Sequence, residues 1–315
     1  MKLNILVTGC GGDIGQSVGK ILHTYNDVNY LTGCDISAKN AGKFIFKNFF
    51  VGVPCSHKDY IKSIGNVVMK HKIDLIIPIA EPELRFLSKT KILDKITGAK
   101  IICANQKSLE IGFDKLKTAS FLEENKLPFP KTELISSVDS QINYPVIIKS
   151  RTGSGSSAIY IAKSKLDLDY LKTKHSDFIV QEFLPSEEGE FTCGVFRSTK
   201  GNVRSIVLKR ELTGGYSGYG EVIHDDSITK LLHTIAVKLD LTGSINVQLR
   251  LTEKGPVVFE INPRFSSTVL FRHMFGFEDL IWSIQDKTGQ ELSSYKEVKS
   301  GRKFYKGFSE YINID

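Results

Sequence analysis

The sequence lacks most of the features that would settle its class at a glance. It has no apolar run near the ~18 residues that a membrane span needs. Its opening, Met1-Lys-Leu-Asn-Ile-Leu-Val-Thr-Gly9, has too short an apolar stretch for a secretory signal, so a cytoplasmic location is expected. The five cysteines (Cys10, Cys34, Cys55, Cys103 and Cys193) are an odd number with no CxxC, which argues against a disulfide framework. The seven histidines show neither HExxH nor a Cys/His cluster, so no structural zinc site is expected. There is no repeat or low-complexity tract, and 41% hydrophobic with 24% charged residues is ordinary globular composition. The net charge is +7 and the pI about 9.0. The lysines are spread out rather than gathered into a basic tract with interleaved aromatics, so nucleic acid is not an expected partner. Such an excess also suits a site for anionic substrates.

At 315 residues the chain is long enough for two or three lobes. Its first third alternates strands (Leu3–Thr8, Tyr30–Cys34, Phe49–Val53, Leu75–Ile79, Lys100–Cys103) with helical patterns (Ile14–Thr24, Asp59–Lys72, Pro82–Leu93). That rhythm predicts a Rossmann-like, doubly wound parallel sheet. Ser108–Asn125 reads as helical and runs into the stop signal Leu127-Pro-Phe-Pro130. Beyond it, strands and hairpins dominate, which predicts an α+β lobe with mostly antiparallel pairing.

Thr8-Gly-Cys-Gly-Gly-Asp-Ile-Gly15 follows the first strand, and Asp35 closes the second. The pattern fits the TGxxGxxG turn of short-chain dehydrogenases, with the acid where a ribose ligand would sit. An NAD(P)-dependent oxidoreductase is therefore the competing class. Its Tyr-x-x-x-Lys motif has one formal match, Tyr170 to Lys174, in a polar segment of the second regime that reads as a solvated helix face. Open α/β domains use the same glycine turn simply to let the chain reverse.

The second half carries the chemistry. Pro145-Val-Ile-Ile-Lys149 delivers a lysine at the end of an apolar strand, where an unpaired charge is costly. The small residues that follow (Gly153, Ser154, Gly155, Ser156, Ser157) let backbone N–H groups and hydroxyls approach phosphate oxygens. Phe178–Glu182 is a strand leaving into a loop with Glu187, Glu188 and Glu190. Lys209 and Arg210 end another strand ahead of Gly214–Gly220, a glycine-rich loop expected to move as a lid. Ser244–Leu251 and Pro256–Ile261 flank a turn and should form a hairpin. That pairing sets Gln248 roughly opposite Glu260. Strand alternation puts Glu260 and Asn262 on one face, with Ile261 turned to a core. Carboxylate and amide oxygens are hard ligands suited to Mg²⁺, and Arg264 lies just beyond. An edge strand with a polar, solvated face would show the same residues, so it is the ordered set that carries the reading.

In this order the pieces resemble the ATP-grasp superfamily, most of all single-copy relatives of half the carbamoyl-phosphate synthetase large subunit, and biotin carboxylase. The resemblance spans nearly the whole chain. It implies a Rossmann-like pre-ATP-grasp domain over residues 1–107 and an ATP-grasp domain over 108–315, with a small lobe of about 115–183 and a large lobe of about 184–315. It implies ATP and Mg²⁺ as cofactors. Lys115 and Lys149 would contact phosphates under the Gly153–Ser157 loop, with Glu182, Phe183 and Leu184 at the adenine. Glu190, or else Glu187, would meet the ribose. Glu260 and Asn262 would hold Mg²⁺ with Gln248 in support. Arg264 and Arg210, with Arg272 as a further candidate, would steady the reacting carboxylate and phosphoryl groups. The implied activity is an ADP-forming carboxylate–amine ligase acting through an acyl phosphate on small-molecule substrates; sheet domains of this type often pair, so a homodimer is one open assembly. A non-catalytic ATP-binding protein is the third class. The chain is too short for a whole carbamoyl-phosphate synthetase, so the resemblance transfers the ATP chemistry and leaves the substrates open.

Overall fold

The computed structural model describes residues 2–138, 142–153, 158–185, 189–307 and 309–312. The first sheet is built from β1 (Leu3–Thr8), β2 (Val28–Asp35), β3 (Asn48–Val51), β4 (Leu75–Pro78), β5 (Lys95–Ile96) and β6 (Ala99–Ile101). These stand in the order β3-β2-β1-β4-β6-β5, parallel except for the β5–β6 pair. β1 and β4 are buried on both faces, as central parallel strands must be, which is why Ile5-Leu6-Val7 and Leu75-Ile76-Ile77 read as apolar runs.

Both faces of this sheet are covered by helices. α1 (Asp13–Thr24) sets Val18, Ile21 and Leu22 toward β1 at helical spacing. On the other face lie α3 (Tyr60–His71) and α4 (Glu81–Thr90), the latter opened by a proline near its start. The short α2 is Gly42–Ile45. In the turn between β1 and α1, Gly9 takes φ +64°. A Cβ on Gly15 would lie 2.5 Å from the Gly9 carbonyl oxygen, so the turn closes only without side chains there.

The predicted single helix over Ser108–Asn125 is instead two, α5 (Gln106–Gly112) and α6 (Lys115–Glu124). Asp114 sits between them and caps α6, accepting from the amides of Leu116 and Lys117. A capping aspartate needs non-helical backbone, so the break is dictated by that residue.

The second sheet comprises β7 (Thr132–Leu134), β8 (Val146–Ser150), β9 (Ile159–Ala162) and β10 (Phe178–Glu182), in the antiparallel order β7-β10-β8-β9. It is backed by α7 (Lys165–Lys174), which a Ser164/Asp167 capping box starts. Tyr170 is 62% exposed on α7, the solvated face expected.

The third sheet runs β15-β14-β11-β12-β13-β16. Its strands are β11 (Glu190–Arg197), β12 (Val203–Thr213), β13 (Tyr216–Val222), β14 (Gly243–Thr252), β15 (Gly255–Asn262) and β16 (Lys303–Tyr305). α5, α6 and α8 (Asp226–Lys238) cover one face. α9 (Val269–Phe275) and α10 (Asp279–Thr288) are shared. Val269, Leu280, Ile281 and Ile284 pack with β1 and α1 of the first sheet, whereas Phe277 and Trp282 pack on the third. These two helices weld the parallel sheet to the antiparallel one. No helix among the described residues is long and apolar enough to cross a membrane.

Candidate active site

Where the three sheets meet they enclose one cavity of about 1120 Å³. Lys115, Lys149, Gly153, Glu190, Arg210, Gln248, Glu260, Asn262 and Arg264 all line it. Its other wall is the first sheet's glycine turn and α4.

Lys115 is the first residue of α6, so the Asp114 cap fixes where it points. Arg151 reinforces the cap with a two-pronged contact, Nη2 lying 2.7 Å from Asp114 Oδ2. The Lys115 amide also donates to the Arg151 carbonyl at 3.1 Å. Lys115 Nζ donates to the Gly153 carbonyl (2.8 Å) and stands 3.6 Å from Glu260 Oε1. Lys149, on β8, is only 7% exposed and has no carboxylate partner within 4 Å among the described residues. Burial, opposed in part by Glu260 and deepened by Lys115, brings its ammonium down to about 8. Its Nζ sits 5.5 Å from the ring centroid of Phe259. A buried lysine with only an aromatic face and one shared carboxylate nearby is a cation waiting for an anion.

The hairpin of β14 and β15 forms as its sequence predicts, and Gln248 pairs directly with Glu260. Ile261 is fully buried between Glu260 and Asn262. One feature was not legible in alternation. The register jumps from Gln248–Glu260 to Leu249–Val258, leaving Phe259 as the extra residue of a bulge. That bulge places Phe259 on the cavity wall under Lys149. Asn246, two residues before Gln248 and opposite Asn262, also faces the cavity. Its carbonyl oxygen accepts from Thr192 (3.0 Å) and Arg272 (3.3 Å), so its amide N–H₂ points elsewhere, buried with no partner among the described residues. The i, i+2 spacing from Gln248 was the available signal for it.

Arg264 is half-buried with the charges of Glu81 and Glu260 acting on it, and its Nη1 donates to the Phe265 carbonyl at 3.0 Å. Arg210 does not stand free. Its guanidinium pairs with Glu190 and reaches the Ser217 hydroxyl, and Arg250 takes the second Glu190 oxygen at 3.3 Å. Glu190 thus joins three neighbouring strands on the cavity wall. Glu182, Phe183 and Leu184 are not among the lining residues. The Glu182 amide donates to the Lys131 carbonyl, and the Leu184 carbonyl accepts from Arg250 at 2.6 Å. Ser154, Gly155, Ser156, Ser157, Glu187 and Glu188 lie outside the described residues.

Two expectations are corrected. Arg272 is not a substrate arginine: it is fully buried, 2.8 Å from Asp279 Oδ2, and bonded to Ser266 and Asn246. Nor is Gly214–Gly220 an open glycine loop. β12 and β13 run on to Thr213 and from Tyr216, leaving a two-residue turn. β16 then covers β13, and Lys306 pairs with Asp13 of the glycine turn while lying 5.1 Å from the Tyr216 ring centroid. Glycine content alone does not distinguish a hinge from a strand that must pass close to a neighbour.

At the glycine turn, Asp35 accepts from the Gly11 amide (2.9 Å) and the Ser37 amide (3.2 Å), so its carboxylate holds the turn against β2.

The parallel sheet, the two antiparallel sheets and the cavity where they meet define a class of two-lobed α/β proteins. Residues 113–268 match the model of the ATP-grasp domain, so the chain contains an ATP-grasp domain. The carbamoyl phosphate synthase large chain of Clostridium acetobutylicum is 24% identical over 276 residues, covering 78% of this chain and 25% of the relative. This chain therefore spans about a quarter of the length of such relatives. Among solved structures, the biotin carboxylase domain dimer of Hydrogenobacter thermophilus 2-oxoglutarate carboxylase, in complex with MgADP, ADP and bicarbonate, superposes with a TM-score of 0.76. It is 14% identical, over 96% of this chain and 74% of that one. An L-amino acid ligase from Bacillus licheniformis gives a TM-score of 0.70 at 16% identity, over 91% and 74%.

Proposed function

We propose that this chain is an ATP-dependent ligase that joins a carboxylate to an amine through an acyl phosphate, releasing ADP and phosphate. The observation that carries the reading is the buried, carboxylate-poor Lys149 set against the register-paired Gln248 and Glu260 in one cavity. Cations and a hard-oxygen pair at one place match the needs of a metal-bound polyphosphate. The names of the solved neighbours support it, since one holds MgADP with bicarbonate and another is an L-amino acid ligase.

In this reading Lys115 and Lys149 hold ATP phosphates, and Glu260 and Asn262, with Gln248 across the hairpin, are the residues that would hold Mg²⁺. The ion supplies charge neutralisation as a second anion approaches. The fit is chemical: one carboxylate and two amides offer hard oxygens, and Lys115 already shows that Glu260 accepts a cation. Arg264 sits at the end of β15 to grip the carboxylate and the γ-phosphoryl oxygens by paired hydrogen bonds. The carboxylate attacks the γ-phosphorus and ADP leaves; an amine then displaces phosphate to give the amide. Little covalent chemistry is asked of the side chains, since positioning and charge placement carry such transfers. The first-sheet end of the cavity houses the acceptor, and the Glu190 carboxylate lies at the nucleoside side of the site.

A screen crossing panels of carboxylates and amines, read as ADP release and by mass spectrometry for the new amide, tests it. Lys149→Met and Glu260→Gln should each remove ADP release while leaving the fold intact. Turnover at the wild-type level in either purified variant would overturn the assignment. MgATP binding without ADP release for any pair would instead make the protein a nucleotide sensor.

A further inference from the structure

The cavity is polar along its length in the electrostatic sense. Toward the third sheet its lining holds four cations, Lys115, Lys149, Arg210 and Arg264, which answer the carboxylates Glu190 and Glu260 beside them. At the first-sheet end it is lined by Val53, Pro54, Ile64, Tyr60, Asp35 and Glu83, with no lysine, arginine or histidine among them. Glu83 is the anomaly. It is 6% exposed, and its two oxygens accept only from neutral hydroxyls, Thr8 Oγ1 at 2.6 Å and the Tyr60 hydroxyl. No lysine, arginine or histidine pairs with it among the described residues, and the nearest charge felt is another carboxylate, Asp35. Its neighbour Glu81 differs, being clamped by Arg85 at 2.6 Å. An uncompensated buried carboxylate is expensive, and this chain has cations to spare at +7. Leaving one on a cavity wall makes sense if the ligand brings the counter-charge.

We infer that the first-sheet end of the cavity is a subsite for a cationic nitrogen carried on an apolar chain, with Glu83 as its charge partner and Val53, Pro54 and Ile64 against the hydrocarbon. The inference rests on the ligase reading and deepens it: the acceptor substrate carries an aliphatic ammonium group, which Glu83 binds, rather than being a sugar or a second acid. Thr8 and Tyr60 fix the carboxylate by hydrogen bonds, all three residues line the cavity, and Asp35 adds to the negative potential there. Burial raises the Glu83 carboxyl above the usual carboxylate range, and an ammonium beside it would reverse that.

Isothermal titration of the full chain, saturated with MgADP, with n-pentylamine and with 1-pentanol tests the subsite. The two probes share a hydrocarbon and differ in the charged head. The amine should bind at least about tenfold more tightly, and Glu83→Gln should remove that advantage while leaving 1-pentanol unchanged. Val53→Phe, which fills the subsite without touching the carboxylate, should weaken both probes. Equal binding of amine and alcohol by the wild type, no amine binding at 20 mM (about the weakest range of interest), or full amine preference in Glu83→Gln would each overturn the inference. Should Glu83→Gln fail to fold, the wild-type preference and the Val53→Phe result decide. MgADP binding is read in the same experiments: its loss in the wild type would count against the ligase reading, whereas its presence with no amine preference counts against the subsite alone.

Discussion

Lys115 Nζ stands 3.6 Å from Glu260 Oε1, so a cation from the first turn of α6 rests on the carboxylate assigned to the metal. The two come from elements 145 positions apart in sequence and are joined by the cap that breaks the 106–124 helical stretch. Arrival of a metal-bound polyphosphate would exchange this ion pair for two better ones. Lys115→Met should therefore weaken MgATP binding by roughly tenfold or more, about the value of one charge-assisted contact. Equilibrium titration with MgATP checks it, and unchanged affinity would place Lys115 outside the site.

Lys149 gives a signature in protons. Its ammonium is brought down to about 8 by burial, and a bound phosphate would return it toward its ordinary value. Near pH 8.5, MgATP binding should take up a proton, at most about one. Titration in buffers of different ionisation enthalpy measures this. Lys149→Arg, which stays charged, should abolish the uptake.

The same lysine should cost stability. A lysine whose folded value lies below its unfolded value of 10.5 penalises folding in full below pH 8, and the penalty vanishes as pH rises past 10.5. Lys149→Met should then raise stability by something on the order of 3 kcal/mol near pH 7, with the gain shrinking above pH 9. Urea denaturation across pH reads both signs.

Arg272 and Asp279 are 0% and 1% exposed, and their pairing holds α9 to α10 beneath β14. Removing one partner leaves a buried charge, so Arg272→Met should cost about 3–5 kcal/mol. Arg272→Met with Asp279→Leu should recover most of that loss. Denaturation of the two variants distinguishes this structural role from the substrate role once expected of Arg272.

Lys306 ties the β12–β13 turn to the glycine turn through Asp13. Lys306→Met should raise hydrogen exchange at Thr213 to Tyr216, with little change in β11. A turn already open in the wild type would exchange equally in both.

Much of this was legible because it is local. Alternation along Glu260-Ile261-Asn262 and the turn after Thr252 were enough to place Gln248 against Glu260. The apolar runs Ile5-Leu6-Val7 of β1 and Leu75-Ile76-Ile77 of β4 announced a buried parallel sheet. What was hidden depends on partners that no spacing reveals. Arg272 looks like any basic residue after a site motif until Asp279 is folded beside it. Glu83 looks like an early-helix acid, and only the arrival of Thr8 and Tyr60 buries it. The bulge at Phe259 adds one residue to a strand, a change that alternation cannot register.

The central claim is that a carboxylate is activated by phosphorylation in the Lys149–Glu260 cavity. For any carboxylate and amine pair that releases ADP, the carboxylate labelled with ¹⁸O in both oxygens gives the most direct test. Mass spectrometry should find one ¹⁸O in the released phosphate and one in the amide. Phosphate free of label, with amide formed, would contradict the account.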